Sequence, residues 1–446
     1  MSKRLVILGA GESGIGAAIL GKQNEYDVFV SDMGLIAKKY KDVLINNKIL
    51  FEEIKHTKEQ ILNADVVVKS PGIPDSSFLI AELRHKGVPV ISEIEFGSWF
   101  TNAKLIGITG SNGKTTTTSL IYHILKSAGL NVGVAGNIGE SFALKVATCN
   151  YDYYVLELSS FQLDGIKKLK LDISILLNIT PDHLDRYDYS LDKYIDSKFQ
   201  IIKNSDENSV FIYNSDDKNI TEKILDITLP KSAYKFTFNE LKGKGAKAKD
   251  GEILIDINSP MRISADSLSL IGKHNSYNIM ASASVASVLG IDEKKILLAV
   301  DSFQPIEHRM ERVVVINGVE YINDSKATNV DSVFYALESI ENEVIWIAGG
   351  IDKGNDYSQL IPLVKSKVSG MICLGKQNKK LHATFEGIVK QIEDAGSAEE
   401  AVLKASSMAE EGFTVLLSPA CASFDLFDNY EDRGNKFKQS VTKLND

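Results

Sequence analysis

Short apolar runs alternate with amphipathic stretches along the whole chain. The first run, Leu5–Leu8, leads through a glycine-rich turn into a helix of small residues over Ile15–Gly21, and a second strand, Val28–Val30, ends at Ser31-Asp32. This alternation of strand and helix is typical of doubly wound α/β domains with parallel sheets. Further strand-like runs are Val66–Val68, Val88–Ile91, Lys104–Thr109, Tyr154–Leu158, Ile173–Leu177, Val210–Tyr213, Val344–Ile347, Met371–Leu374 and Val415–Leu417.

The alternation starts afresh twice, near residue 104 and near Glu311. At the second restart, Val313–Ile316 and Val319–Ile322 flank Asn317-Gly318, which predicts a β-hairpin. A chain of 446 residues also favours about three domains. We predict three consecutive α/β domains over residues 1–97, 98–306 and 307–446, and an exposed loop at the Lys/Gly-rich stretch Lys242–Gly251.

Composition narrows the class of protein. Apolar residues make up 44% and charged residues 24%, an ordinary globular profile, and the net charge of −9 without a basic run disfavours a nucleic-acid partner. The cysteines (Cys149, Cys373 and Cys421) are scattered without C-x-x-C spacing, which argues against a disulfide framework or a zinc site. With no stretch of membrane-spanning length and no cleavage-site pattern at the start, we expect a cytoplasmic monomer with no membrane partner.

The strongest chemical signal follows the strand Lys104–Thr109. The loop Gly110-Ser111-Asn112-Gly113-Lys114-Thr115 can present backbone N–H groups to phosphates, its lysine can reach the outer phosphates, and the next hydroxyl can hold Mg²⁺. The helix expected to begin at Thr115 adds the positive end of its dipole. Ile108 stands where the strict pattern has its first glycine, so the motif is a shortened variant. It predicts a nucleoside triphosphate site; the alternative is a plain glycine-rich turn.

A second glycine motif, Gly9-x-Gly11-x-x-Gly14, lies on the first strand-to-helix turn. Asp32 ends the next strand at close to the spacing of a ribose contact. The motif predicts a nucleotide or pyrophosphate ligand but does not separate NAD from UDP. Its alternative is tight strand–helix packing without a ligand.

Polar residues also follow strands of the central domain. Glu157 ends a strand at the edge where ligands bind in parallel sheets, so it can hold Mg²⁺, although a solvated acid is almost as good an interpretation. His183 lies between Asp182 and Asp185 after the next strand, where metal or phosphate contact and a structural role are about equally favoured. The helical pattern around Lys198 alone predicts an ordinary surface lysine.

Further polar segments lie late in the central domain and in the third domain, and each is weak by itself. His274-Asn275-Ser-Tyr-Asn278 opens a helix, and Glu307-His308-Arg309-Met310-Glu311 lies at the seam before the domain. Helix capping and an interdomain ion pair are the corresponding alternatives. Other strand-end loops are Asn323–Asn329, Gly349–Gly354 and Ser418–Asp425.

Together these motifs resemble the Mur ligases of peptidoglycan precursor synthesis. The resemblance runs from Gly9 to Asp425 and rests on Thr-Gly-Ser-Asn-Gly-Lys-Thr, Glu-His-Arg, Asp-Ser-Lys-Ala-Thr-Asn and Gly-Gly-x-Asp-Lys-Gly. Within the family, Glu157-Leu-Ser-Ser-Phe-Gln-Leu and Ser418-Pro-Ala-Cys-Ala-Ser-Phe-Asp are similar to those of the D-glutamate-adding members. The Asp-Asn-Pro-Arg motif of the diaminopimelate- or lysine-adding members is absent.

The resemblance implies a Rossmann-like first domain that binds the UDP-substrate, a P-loop ATPase-like central domain and a Rossmann-like third domain. It implies that ATP activates the carboxylate of UDP-N-acetylmuramoyl-L-alanine as an acyl phosphate, which the amine of D-glutamate attacks. It implies two Mg²⁺ ions and a carbamate on Lys198, with metal ligands Thr115, Glu157, His183 and Lys198. The implied catalytic residues are Lys114, Glu157, His183, Lys198 and Lys326.

The resemblance also implies the binding residues. ATP contacts are expected from Gly110, Ser111, Asn112, Gly113, Lys114, Thr115, Thr116, Asn275, Asn278, Arg309 and Asp324. Substrate contacts are expected from Ser13, Asp32 and Ser70 on the UDP side, Asn137 and Ser159 on the muramoyl part, and Thr328, Lys353, Ser418 and Phe424 on D-glutamate.

Two alternatives stay open. Another ATP-dependent amide ligase of the same build, such as a folylpolyglutamate synthase, would share the ATP motifs and bind a folate instead of a UDP-sugar. An NAD(P)-dependent oxidoreductase with a nucleoside triphosphate-binding regulatory domain would use the first glycine motif for its dinucleotide.

Overall fold

Three β-sheets follow one another along the chain in the computed structural model, which describes residues 2–264, 272–304 and 306–445. The described residues divide into two compact units. The first runs to Ser264 and continues from Tyr277 to Phe303, and the second takes residues 272–276 and everything described from Gln304 on. The predicted α/β class is confirmed, and each sheet lies within one predicted domain range, while the domain boundaries themselves stay predictions.

The first sheet is fully parallel, with strand order β3-β2-β1-β4-β5. Because the order reverses beside β1, a crevice for a ligand is expected at the carboxyl end of that strand. Only Val90–Ile91 of the predicted strand Val88–Ile91 pairs. The elements are β1 (Arg4–Leu8), α1 (Glu12–Gln23), β2 (Asp27–Ser31), α2 (Lys38–Asn46), β3 (Leu50–Glu52), α3 (Lys58–Ile61), β4 (Val66–Lys69), α4 (Phe78–His85), β5 (Val90–Ile91) and α5 (Glu93–Ser98).

The second sheet has the order β14-β13-β12-β11-β10-β9-β6-β8-β7, parallel from β7 to β12 and antiparallel from β12 to β14. Its elements up to β10 are β6 (Lys104–Thr109), α6 (Lys114–Ser127), β7 (Val132–Gly136), α7 (Phe142–Thr148), β8 (Tyr153–Glu157), α8 (Ser160–Asp164), β9 (Ile173–Leu176), α9 (Leu191–Phe199) and β10 (Val210–Asn214). The elements after it are α10 (Lys218–Ile224), β11 (Ser232–Thr237), β12 (Gly245–Lys249), β13 (Glu252–Asp256), β14 (Met261–Ser264), α11 (Lys273–Val288) and α12 (Glu293–Ser302).

The prediction of an exposed loop over Lys242–Gly251 is wrong. β12 (Gly245–Lys249) occupies that stretch and pairs with both β11 and β13. Ala246 and Ala248 are buried, while the lysines between and after them are not. The alternation of alanine and lysine is thus a strand with one buried face, and its small apolar side chains gave a weak signal.

The third sheet has the order β15-β16-β20-β17-β18-β19, in which β15 alone pairs antiparallel. The predicted hairpin is confirmed: β15 and β16 meet at Asn317-Gly318, and both turn residues have positive φ. The elements are β15 (Glu311–Ile316), β16 (Val319–Asn323), α13 (Val330–Ser339), β17 (Val344–Ala348), α14 (Ile361–Lys367), β18 (Val368–Leu374), α15 (Lys379–Phe385), β19 (Gln391–Ala395), α16 (Ala398–Met408), β20 (Thr414–Leu417) and α17 (Tyr430–Thr442).

A buried carboxylate joins the first two sheets within the first unit. Glu95, on α5, is fully buried and accepts hydrogen bonds from the backbone N–H groups of Lys167, Lys168 and Leu169, and from the Trp99 indole at 2.8 Å. These donors hold its negative charge in place of water. Because residues 167–169 precede β9, Glu95 fixes α5 to the second sheet.

Helix packing adds to this connection, since α1 and α5 both contact α7. In the part of the chain that the structure describes, no helix has the length and apolar character needed to cross a membrane.

We expect Glu95→Gln to lower the free energy of unfolding by about 2–3 kcal/mol, because an amide replaces one acceptor oxygen with a donor facing backbone N–H groups. Urea unfolding followed by circular dichroism measures the change. Glu59→Gln, an exposed helix position in the same unit, is the control and should unfold like the wild type. Equal midpoints for the two variants would contradict a stabilising role for the Glu95 carboxylate.

Candidate functional site

The polar residues predicted in the central domain converge at one edge of the second sheet. β6 lies between β8 and β9, and all three strands run parallel. The loop Gly110–Thr115 therefore follows β6 at the same edge at which Glu157 ends β8 and Asn178 follows β9. This edge is where parallel α/β sheets bind their ligands.

The loop has the conformation that its glycines allow. Gly113 has a φ of 81°, and a Cβ there would approach Asn278 Oδ1 to 2.5 Å. Asn278 in turn accepts a hydrogen bond from Thr117 Oγ1 at 3.1 Å. Helix α6 begins at Lys114, one residue before the predicted start, so its first N–H groups face the loop.

Asn178 holds the loop and is a residue that the sequence reasoning did not assign to the site. Its Oδ1 accepts from Asn112 N at 2.8 Å, and its Nδ2 donates to Asn112 O at 3.1 Å. Lys114 Nζ donates to the carbonyl oxygens of Gly110 at 2.8 Å and Ser111 at 2.7 Å. Its position directly after a predicted strand is the signal from which Asn178 could have been assigned.

Glu157 presents a carboxylate oxygen suited to a cation. The residue is 1% exposed, and its Oε1 accepts from Asn137 Nδ2 at 2.8 Å. Its Oε2 is buried and has no hydrogen-bond partner among the described residues. An unpaired buried carboxylate oxygen is costly unless a ligand completes it, and Mg²⁺ prefers oxygen ligands. The donor set here fits Mg²⁺.

Lys198 is not the surface lysine that its pattern predicted. It is fully buried, and its Nζ donates to Gly110 O at 2.7 Å and to Thr109 Oγ1 at 3.2 Å. The same Nζ lies 5.1 Å from the centre of the Tyr194 ring. Burial, with the nearby charge of Lys114, holds the pKa of Lys198 well below its usual range.

His183 follows Asp182, whose charge acts on Lys198, and has a left-handed conformation with a φ of 52°. Its ring meets the edge of Phe161 with 5.3 Å between centroids, and its Nε2 lies 3.6 Å from Asp182 Oδ2. In the first turn of α6, Thr115 is half-buried and Thr116 is buried. The predicted phosphate and metal residues of the first unit thus come together around one loop.

The first glycine motif is built for close packing. A Cβ on Gly14 would approach Gly9 O to 1.9 Å, so only glycine fits at this position in the first turn of α1. Both carboxylate oxygens of Asp32 accept backbone hydrogen bonds, from Ala10 N at 2.6 Å and Gly34 N at 2.7 Å. Asp32 therefore shapes the turn itself, and its contact with a ribose stays a prediction.

The other substrate residues of the first unit lie nearby. Ser70 Oγ lies 3.5 Å from Gly9 O, and Ser159 caps α8 in a capping box with Gln162. Ser13, Lys69 and Gln162 line a groove between the first and second sheets. This groove offers hydroxyl, ammonium and amide groups to a polar ligand.

In the second unit, Asp324 is the centre of a buried polar cluster at the ends of β16 and β20. Its Oδ2 accepts from Ser418 Oγ at 2.8 Å, and its Oδ1 accepts from Met310 N at 3.2 Å. Ser418 O accepts from the Trp346 indole at 2.7 Å. Burial raises the pKa of Asp324 to about 7, although Ser418, Met310 and Arg309 favour its charged form.

Arg433, on α17, was missed by the sequence reasoning and joins the strand-end loops of this unit. The guanidinium is buried and donates to Ser325 O at 2.8 Å, Ser325 Oγ at 3.0 Å and Cys421 O at 3.2 Å. It also lies within 3.4 Å of Gly349 O. A buried arginine is uncommon, and nothing in the polar helix pattern around it indicated burial.

The remaining predicted residues of the second unit differ in exposure. Lys326 Nζ lies 3.5 Å from the centre of the Tyr430 ring, and Phe424 is 69% exposed. Thr328 and Lys353 are half-buried, and Asn275 is nearly buried in the first turn of α11. Burial, together with the charge of Arg309, lowers the pKa of His274 to about 4.

Comparison with known proteins gives consistent matches along the chain. Family models match for the MurD N-terminal domain over residues 4–78, the Mur ligase middle domain over 108–286 and the Mur ligase glutamate ligase domain over 308–421. A UDP-N-acetylmuramoylalanine–D-glutamate ligase of Christiangramia forsetii is 53% identical over 445 residues, covering 100% of both chains. The enzyme of the same name from Bacteroides fragilis is 50% identical, covering 99% of this chain and 100% of its own.

Solved structures show the same fold. The UDP-N-acetylmuramate-alanine ligase MurC of Thermotoga maritima superposes with a TM-score of 0.61 at 17% identity, covering 99% of each chain. MurF of Thermotoga maritima in complex with ADP gives a TM-score of 0.62 at 17% identity, covering 94% of this chain and 95% of its own.

Asp324→Asn should flatten the pH dependence of stability in the second unit. Since burial raises the pKa of Asp324 from 3.8 to about 7, the folded state keeps a proton that the unfolded state has lost, and the free energy of unfolding falls as the pH rises between these values. Asparagine stays neutral and removes this contribution. Thermal unfolding from pH 5 to 8, followed by Trp346 fluorescence in a Trp99→Phe background, measures it.

Asp428→Asn, at an exposed position of the same unit, is the control and should keep the wild-type slope. An unchanged slope in Asp324→Asn would show that the Asp324 carboxyl does not titrate in this range.

Proposed function

We propose that this chain, which belongs to the Mur ligase family, is an ATP-dependent amide ligase. The reaction adds D-glutamate to UDP-N-acetylmuramoyl-L-alanine in peptidoglycan precursor synthesis. The observation that carries this proposal is the convergence of the loop Gly110–Thr115, Glu157 and Lys198 at one sheet edge. Relatives of that name match over the full length of the chain, which favours this reaction over a folate or NAD(P) substrate.

The chemistry requires an activated carboxylate, since a free carboxylate is a poor acyl donor. An oxygen of the alanyl carboxylate attacks the γ-phosphorus of ATP, and ADP leaves. The amine of D-glutamate then attacks the acyl carbon and loses a proton, and inorganic phosphate leaves. Lys114 exchanges its bonds to loop carbonyls for phosphate oxygens, where its charge stabilises the transferring phosphoryl group.

Glu157 and Thr115 are the residues that would hold a first Mg²⁺, and His183 a second. The support is the unpaired Oε2 of Glu157, fixed by Asn137 through its other oxygen. Bound Mg²⁺ supplies positive charge that offsets the negative charge of the phosphates.

A carbamate on Lys198 belongs to the same proposal. A neutral lysine amine adds to the carbon of CO₂ and releases one proton, which replaces an ammonium with an anionic ligand. Lys198 is enclosed beside the loop, at Gly110 O and Thr109 Oγ1, where such an anion is close to Lys114. The resemblance to the family motivates this assignment.

Most of the remaining predicted contacts belong to residues of the second unit, while Asn278 belongs to the first. Asp324 and Arg309 bind ATP, Lys326 contacts the reacting phosphate, and Thr328 and Ser418 contribute to the D-glutamate site. Asn275, Asn278, Lys353 and Phe424 complete these two sets. The protein acts as a cytoplasmic monomer in this proposal.

Phosphate release with ATP, Mg²⁺ and UDP-N-acetylmuramoyl-L-alanine should depend on D-glutamate. The measurement compares D-glutamate, L-glutamate, L-alanine and L-lysine as amine donors, with product identified by mass. Release stimulated by L-alanine or L-lysine but not by D-glutamate would contradict the proposed substrate, and tight binding of a folate or of NAD(P)H would favour the alternatives.

Lys198→Ala should lower kcat by about 10²–10³-fold, because it removes the proposed anionic metal ligand beside the phosphate-binding loop. Lys193→Ala, an exposed lysine on the same helix, is the control and should keep wild-type kcat. After equilibration with ¹³C-labelled bicarbonate, a carbamate carbon resonance should be present in Lys193→Ala and missing in Lys198→Ala. Full activity in Lys198→Ala would contradict the assignment.

A further inference from the structure

A cysteine, a histidine and an aspartate meet in the second unit, on a part of the sheet that carries none of the residues assigned to the reaction. Cys373 Sγ, a ring nitrogen of His382 and a carboxylate oxygen of Asp394 all lie within 4.8 Å of one another. Cys373 is fully buried, His382 is partly exposed and Asp394 is exposed. We propose that these three side chains bind a thiophilic divalent cation of the Zn²⁺ type, with water as the fourth ligand.

Strand register explains why these residues meet. Cys373 on β18 and Asp394 on β19 are direct partners in a parallel ladder, so their side chains lie on the same face of the sheet. His382, on α15, covers that face, and its Nε2 lies 3.1 Å from Asp394 Oδ1. The ligands therefore come from three elements, which is why the absence of C-x-x-C spacing hid the cluster.

The distances suit a tetrahedral ion. Bonds of about 2.0–2.1 Å to nitrogen and oxygen and about 2.3 Å to sulfur place tetrahedral ligand atoms about 3.3–3.6 Å apart. The His382–Asp394 separation is already close to this value. The other two pairs include sulfur, and the 4.8 Å limit leaves them at most about 1.2 Å of adjustment. The set of sulfur, nitrogen and oxygen donors is one that Zn²⁺ accepts.

Charge and surrounding hydrogen bonds support the same ion. One thiolate and one carboxylate balance a dication, and the thiol releases its proton to solvent when its sulfur coordinates the metal. Asn378 Nδ2 donates to Asp394 Oδ1 at 2.7 Å and to Cys373 O at 3.0 Å, which orients a ligand in the manner of outer-shell residues.

The cluster is reachable from solvent. His382 and Asp394 line an open groove, whose other walls include Gly375, Lys379, Glu386 and Glu400. The groove gives an ion a route in and leaves room for a water molecule as the fourth ligand. A bound ion would tie β18, β19 and α15 together and raise the melting temperature of the second unit.

The test uses Co²⁺ as the probe on the full chain, freed of metal with a chelator and kept in excess Mg²⁺. A thiolate-to-cobalt charge-transfer band distinguishes this site from the proposed Mg²⁺ sites, because the ligands of those sites include no cysteine. We expect one equivalent of Co²⁺ to produce the band and Zn²⁺ to remove it. His382→Gln and Asp394→Asn should each raise the Kd at least tenfold, and Cys373→Ser should lose the band.

His85→Gln and Cys149→Ser are matched controls, since each removes the same kind of side chain at a distant position, and both should bind Co²⁺ like the wild type. Because His382 and Asp394 are not buried, their variants test the site even where Cys373→Ser fails to fold. Ligase activity in Mg²⁺ should be unchanged in His382→Gln, so this proposal and the proposed function can fail separately. No thiolate band at saturating Co²⁺, or an unchanged Kd in His382→Gln and Asp394→Asn, would reduce the cluster to a surface ion pair beside a buried thiol.

Discussion

The burial of the Lys198 amine beside the phosphate-binding loop is the constraint on which the candidate site depends. A polar group removed from water needs partners inside the protein, and here Gly110 O, Thr109 Oγ1 and the Tyr194 ring provide them. Helix α9 must therefore pack against the end of β6, and the loop carbonyls must face it. These contacts, together with the bonds from Asn178 to Asn112, fix the conformation of the loop.

The second unit also buries ionisable side chains together with hydrogen-bond partners. Asp324 is buried with Ser418 and Met310 as donors, and Arg433 is buried with the carbonyl oxygens of Ser325 and Cys421 as acceptors. Each charged group joins loops that end different strands. Strand-end loops would otherwise be the least fixed parts of an α/β sheet, so these buried groups give the predicted ligand contacts a defined geometry.

Sequence patterns predicted what depends on local chemistry. The strand before Gly110, the helix after Gly113 and the Asn317-Gly318 turn were recognisable because strand, phosphate loop and hairpin each have a short-range signature. The burial of Lys198 and Arg433 was not recognisable, since elements distant in sequence decide whether a long basic side chain is buried. The strand Gly245–Lys249 was mistaken for a loop for a different reason: alanine contributes too little apolar character to mark a buried face.

The proposed function requires that the loop Gly110–Thr115 binds ATP for phosphoryl transfer to a carboxylate. The most direct measurement uses UDP-N-acetylmuramoyl-L-alanine labelled with ¹⁸O in the alanyl carboxylate, in a complete reaction with ATP, Mg²⁺ and D-glutamate. An acyl phosphate transfers one carboxylate oxygen to phosphate, so the released inorganic phosphate should carry one ¹⁸O atom and the other product should be ADP. Unlabelled phosphate, or AMP and pyrophosphate as products, would contradict the account.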